Sequence, residues 1–117
     1  MKRFARTVLL KDDPQVIAQY EQYHAHPFPE VNAGLARGGV LRMHIYRFGR
    51  QLFMYMETVD DYDPARATPP ESLTPREREW EQIMRAFQET VPGAPAGSTW
   101  VEMKEVYAFP QPGGAHV

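Results

Sequence analysis

The chain is predicted to be an α+β protein, a ferredoxin-like four-stranded antiparallel sheet covered by helices on one face. Three observations point there. Segments alternate in the order strand, helix, strand, strand, helix, strand; two strand-like runs meet across Gly49-Arg50; and both principal helices carry start signals ahead of an apolar stripe.

Residues 3 to 10, Arg3-Phe4-Ala5-Arg6-Thr7-Val8-Leu9-Leu10, are β-prone and lead into the turn Lys11-Asp12-Asp13-Pro14. There Asp13 can cap a helix that has proline at its first position. Val16, Ile17, Tyr20 and His24 follow at three- and four-residue spacing, so they share the face turned toward the sheet. The segment His24-Ala25-His26-Pro27-Phe28-Pro29-Glu30 stops this helix, and Pro29 restarts a short one carrying Val31 and Leu35. Gly38-Gly39 ends the second helix with left-handed geometry that glycine adopts at little cost. Val40 to Phe48 and Gln51 to Val59 then form a hairpin around Gly49-Arg50.

Between Asp60 and Thr74 the composition shifts to Pro, Asp, Ser and Thr, which reads as an irregular loop with one helical turn, and the sequence does not say whether it closes over a ligand. Thr74-Pro75-Arg76-Glu77 combines a capping box with proline at the first helical position, and Trp80, Ile83, Met84 and Phe87 line the inner face beyond it. The Pro- and Gly-rich stretch from Pro92 to Ser98 breaks that helix, and Thr99 to Phe109 has the content of a final strand. Residues 1–110 are expected as one domain and 111–117 as a frayed tail. Leu41, Met43, Ile45, Tyr46, Phe53, Tyr55 and Met56 enrich both sides of the hairpin in apolar groups, so the second sheet face is expected to be buried by sheet-to-sheet homodimerisation.

With 117 residues, 43% hydrophobic and 24% charged, the chain suits one domain with a modest core. A net charge of −2, a pI near 6.1 and scattered arginines argue against nucleic acid as a partner. No apolar run approaches the roughly 20 residues of a membrane span, and Met1-Lys2-Arg3-Phe4-Ala5-Arg6 lacks a secretion signal, so no membrane partner and a cytoplasmic location are expected. The absence of cysteine excludes disulfides and thiolate chemistry. Gly38-Gly39 precedes a strand rather than a helix, so it is no phosphate loop, and neither Ser72 nor Ser98 sits in a nucleophile elbow.

Acid–base chemistry or plain binding remains. His24 leads the candidates, because imidazole exchanges protons near neutral pH. A histidine at a helix end also interacts favourably with the helix dipole with no further purpose. Tyr20, one turn earlier, can orient His24 or bond a substrate hydroxyl, and an inward tyrosine is equally a core residue with a wet tip. His24, His26 and His44 invite a metal reading, but positions i and i+2 face apart on a helix, and no metal is expected. Trp80 and Glu81 can form a sugar-binding edge, an indole for C–H groups and a carboxylate for hydroxyls, or a core tryptophan beside a solvated glutamate.

Tyr20-x-x-x-His24, Phe28-Pro29-Glu30, the hairpin from Ile45-Tyr46 through Leu52-Phe53 to Glu57, Trp80 with Met84, and Glu105-Val106-Tyr107-x-x-Pro110 together resemble the L-rhamnose mutarotase family over almost the whole chain. The resemblance implies a homodimeric α+β barrel that interconverts the α and β anomers of L-6-deoxyhexose pyranoses without a cofactor. It carries the proton-donating histidine onto His24 and a substrate-contacting tyrosine onto Tyr20. The aromatic pair that opens the family's last helix falls on Trp80 and Glu81, a second substrate-contacting tyrosine falls on Met43, and the tryptophan of Trp-Pro-Glu falls on Phe28. These three departures, all at positions the resemblance implies face the ligand, look closer, together with Arg42-Met43-His44-Ile45-Tyr46-Arg47 and Glu79-Trp80-Glu81, to the branch associated with L-fucose.

The implied mechanism protonates the ring oxygen from His24 and removes the anomeric proton, opening the ring to an aldehyde that recloses on either face. The second acid–base group is unassigned, with Glu81 one possibility. Two other classes fit the same residues. A cofactor-free monooxygenase or haem-degrading enzyme would use Trp80, Phe53 and His24 around an aromatic substrate or a haem, and a sugar-binding module would bind without changing anomer exchange.

Overall fold

A computed structural model describes residues 1–64 and 72–110. The expected loop falls partly, and the 111–117 tail wholly, outside the described residues. The elements run β1 (Lys2–Leu10), α1 (Pro14–Ala25), α2 (Pro29–Arg37), β2 (Val40–Phe48), β3 (Gln51–Thr58), α3 (Pro75–Phe87), β4 (Gln88–Glu89) and β5 (Val101–Glu102). All strand pairs are antiparallel, in the order β2-β3-β1-β4, with β5 also on β1. This is the ferredoxin-like arrangement, with its last strand split in two.

Local chemistry explains the boundaries. The Asp13 carboxylate accepts the Gln15 N–H at 2.9 Å, capping α1 just before Pro14. At α3 both capping-box bonds form: Glu77 N–H donates to Thr74 Oγ1 at 3.2 Å and Thr74 N–H to Glu77 Oε1 at 3.1 Å. Gly49 has φ of 60° at the first turn position of the hairpin, as a two-residue loop requires. At the end of α2 only Gly39 is left-handed, with φ of 99°; Gly38 stays helical.

Strand alternation sorts the side chains. Val8, Leu10, Leu52, Met54, Met56 and Thr58 are buried beneath the helices, where Tyr20 and Met84 close the core and Ile17, Tyr23, Ile45, Trp80, Ile83, Phe87 and Trp100 pack around them. The expected double-sided enrichment resolves by register: Met43, Ile45 and Met56 face the helices, while Tyr46 pairs with Phe53 and His44 with Tyr55 on the opposite face. On that outer face Tyr46 is 59% and Phe53 37% exposed.

The last strand differs most from expectation. Only Val101–Glu102 lies in the ladder, opposite Thr7 and Arg6, continued by the Met103 N–H bond to Ala5 O at 2.8 Å. Before it, Gln88–Glu89 pairs with Leu10 and Leu9 directly off the end of α3. The two pieces continue one line along β1, and residues 90–100 make an excursion opposite Val8 alone. Val106, Tyr107 and Phe109 then run exposed beyond the sheet.

Candidate active site

Between the helices and the sheet lies a cavity of about 590 Å³, within the range of small-molecule sites. Tyr20, His24, Met43, Trp80 and Glu81, the five residues singled out in the sequence, all line it. They arrive from three elements: Tyr20 and His24 from the last turns of α1, Met43 from β2, and Trp80 and Glu81 from α3. Ile45, Met54, Met56 and Met84 supply an apolar surround, and Arg6, Asn32, Arg85, Gln88 and Thr99 add polar groups.

His24 Nδ1 lies 2.9 Å from the carbonyl oxygen of Tyr20. A carbonyl oxygen can only accept, so Nδ1 carries a proton and neutral His24 keeps its free lone pair on Nε2. The imidazole stacks on the Tyr20 ring at 4.1 Å and meets the edge of Trp80 at 5.1 Å. Burial pushes the His24 pKa below the usual 6.5, while its bond to the Tyr20 carbonyl opposes that shift in part. The resting side chain near pH 7 is thus a neutral imidazole that can accept a proton at Nε2. Tyr20 is 4% exposed, and burial drives its phenol pKa well above 10, so it remains a hydroxyl. That hydroxyl has no hydrogen-bond partner among the described residues.

Trp80 is held from behind. Phe28 and Tyr23 meet it edge-on at 5.3 and 6.0 Å, and the Arg76 guanidinium lies 3.5 Å over the Phe28 ring. Phe28, expected to face a ligand, therefore buttresses Trp80 instead of lining the cavity. His24, His26 and His44 do not converge: His26 is the exposed cap of α1 and His44 stacks near Tyr46 on the outer sheet face. No group of three or more potential metal-binding side chains gathers among the described residues.

Sequence reading missed Arg6 and Trp100. Arg6 shares the side of β1 that carries Val8 and Leu10, and its side chain is only 18% exposed. Glu102 stands directly across from it on β5, 3.6 Å away. Alternation along β1 was the available signal, since Arg6 is in phase with Val8 and Leu10. Trp100 gave no such signal, because it ends an irregular excursion.

Residues 3–109 match the family model described as L-rhamnose mutarotase. An L-fucose mutarotase of Xanthomonas campestris pv. campestris is 37% identical over 111 residues, covering 93% of this chain and 89% of the relative. A Dictyostelium discoideum protein is 36% identical over 110 residues, covering 91% and 88%. Among solved structures, an L-rhamnose mutarotase of Formosa agariphila superposes with a TM-score of 0.66 at 18% identity, over 92% of this chain and 98% of that one. Tetracenomycin F2 cyclase of Streptomyces glaucescens, a type-II polyketide cyclase, follows at 0.50 and 16%, over 94% and 100%. At those identities the two structures speak to fold alone.

Proposed function

We infer, from the premise that the chain belongs to the L-rhamnose mutarotase family, that it interconverts the α and β anomers of L-fucose, with L-rhamnose the second substrate. The carrying observation is the convergence of His24, Tyr20, Met43, Trp80 and Glu81 on one cavity, with the Nε2 lone pair of His24 left free by the Tyr20 carbonyl. Enzymes of the family act on the hemiacetal carbon of a 6-deoxyhexose. L-Fucose is favoured because the 37%-identical relative bears that activity and because Glu81 offers a hydroxyl acceptor that an indole cannot.

In the proposed cycle, Nε2 of neutral His24 takes the proton of the anomeric hydroxyl. The electron pair left on that oxygen forms the C1=O bond as the bond from C1 to the ring oxygen breaks. The imidazolium then returns its proton to the former ring oxygen. The two oxygens share one carbon, so one imidazole nitrogen can serve both. After rotation about C1–C2, the reverse steps close the ring on the other face. The Tyr20 hydroxyl is suited to donate to a sugar oxygen, and Trp80 to pack against the apolar C–H face. The enzyme is further proposed to be a homodimer through its outer sheet face, a reading supported by exposed Tyr46 and Phe53.

Saturation-transfer proton NMR on the anomeric signals of L-fucose and L-rhamnose tests the activity directly. Catalytic amounts of protein should accelerate exchange, more for L-fucose, and His24→Ala should slow the catalysed part by at least about tenfold while leaving the fold intact. Unchanged exchange with folded wild-type protein sinks the mutarotase assignment for both sugars.

A further inference from the structure

We propose that Arg6 is a specificity-determining residue of the site: held by Glu102, it donates paired hydrogen bonds to two adjacent hydroxyls on the side of the sugar away from the anomeric carbon. The proposal rests on the mutarotase function and names the group that grips the part of the substrate that does not react.

A guanidinium is costly to remove from water unless its donors are used. Arg6 stands on the covered face of β1, opposite Met54 of β3, with 18% of its side chain exposed. Its ionic partner among the described residues is Glu102, whose 3.6 Å separation exceeds a hydrogen-bond length. The guanidinium carbon also lies 5.3 Å from the centre of the Phe4 ring. Most of its five N–H donors therefore meet no protein acceptor among the described residues and stay open to the cavity, which the side chain lines beside Met54 and Met56. Such an arrangement suits a ligand that brings oxygens to an otherwise apolar floor.

Charge decides the class of ligand. Glu102 already faces Arg6, so the pair is neutral and does not call for an anionic substrate; a planar fork bearing a carboxylate partner matches uncharged vicinal hydroxyls. Position decides which hydroxyls. His24 hangs from the helical layer and Arg6 rises from the sheet, so a pyranose between them with C1 at His24 turns its far carbons toward Arg6. L-Fucose presents a cis pair at C3 and C4, whereas L-rhamnose has its cis pair at C2 and C3, next to the reacting carbon. At C3 and C4 the difference is direction: O4 is axial in L-fucose and equatorial in L-rhamnose, so a rigid fork aimed at the axial O4 and its neighbour O3 is turned away from O4 of L-rhamnose, and Arg6 thereby adds to discrimination between the two sugars.

The test compares wild type with Arg6→Met and Arg6→Lys, by anomer-exchange kinetics and by tryptophan fluorescence titrated with L-fucose and L-rhamnose. Both tryptophans of the chain, Trp80 and Trp100, line the cavity, so emission reports occupancy independently of turnover. For Arg6→Met the KM for L-fucose should rise about ten- to hundredfold, as for loss of a charged hydrogen bond. Its kcat should fall less than threefold, the KM for L-rhamnose should rise less, and Arg6→Lys should lie between. A folded Arg6→Met protein with wild-type KM for L-fucose, or one that loses kcat alone, overturns the proposal. Should wild type bind L-fucose without accelerating exchange, the mutarotase reading falls, and Arg6 stands only if Arg6→Met weakens that binding tenfold. Absence of a fluorescence response to either sugar overturns Arg6 as a sugar contact.

Discussion

His24 shows how one hydrogen bond fixes a residue's chemistry. With Nδ1–H committed to the Tyr20 carbonyl and its pKa lowered by burial, the ring rests neutral and offers Nε2 as a base. Catalysed exchange, corrected for the reaction in water, should hold level from neutral pH upward and fall on acidification with a midpoint below about 6.5. A catalysed rate that climbs as the pH drops through that range would require a charged resting His24. The same shift bears on folding. The native state binds fewer protons at His24 than the unfolded chain does, so its stabilising contribution is complete above about pH 6.5 and is lost as the pH falls through the lowered native value. His24 and Tyr20 were legible in the sequence because helical spacing and a proline stop put them on one inward face at a helix end. Arg6 was passed over despite its phase with Val8 and Leu10, because a charged residue in a strand is ordinarily a solvated one, and Phe28 misled because adjacency to a helix start does not fix which way a ring points.

The packing of α2 on α3 depends on a missing side chain. Gly34 is buried, and a Cβ there would stand 2.1 Å from Glu77 Oε2 and 2.9 Å from its Cδ. The carboxylate cannot simply swing away: it accepts from Thr74 N–H, and it receives Arg37 Nη2 at 2.9 Å across from α2. The Thr74 amide, followed by the Arg37 partner, holds the Glu77 pKa below the usual carboxylate range in spite of burial. Alanine gains up to about 1 kcal/mol over glycine in a helix, whereas loss of a cap together with a displaced, buried carboxylate costs about 2 to 4 kcal/mol. Gly34→Ala should therefore destabilise by about 1 to 3 kcal/mol in urea unfolding; a stabilised variant would mean that Glu77 leaves its site without cost. The capping box and the hairpin turn were readable because each rests on a few adjacent residues. The split of the final strand was not, since it depends on how much of β1 remains unpaired, which is a tertiary matter. Nor does the one-residue strand phase that separates Met43 from His44 announce which face will be covered.

At the scale of the molecule, the sheet is covered on one face and open on the other. Stacked rings line the open face, Tyr46 on Phe53 at 6.1 Å and His44 on Tyr46 at 6.4 Å, and Val106, Tyr107 and Phe109 extend past its border. Among the described residues no helix is long and apolar enough to cross a membrane. A second copy of the chain is the proposed cover, and light scattering should return twice the 13.5 kDa protomer mass. Phe53→Glu should weaken the association by about 30-fold or more, and a monomeric wild type would refute the dimer. The order of strands and helices along the chain was legible from the sequence, as was an apolar second sheet face, but a cavity shared by α1, β1, β2 and α3 emerges only once the layers are assembled. The split strand carries one last implication. Only Val8 separates the two short ladders on β1, so residues 90–98 can gain, lose or exchange amino acids without shifting the sheet register, while Thr99 and Trp100 at their end reach into the cavity. Insertion or deletion in that excursion is therefore expected to reshape the cavity wall at Thr99 and Trp100 while leaving His24, the proposed acid–base group, and the pairing of β1 in place.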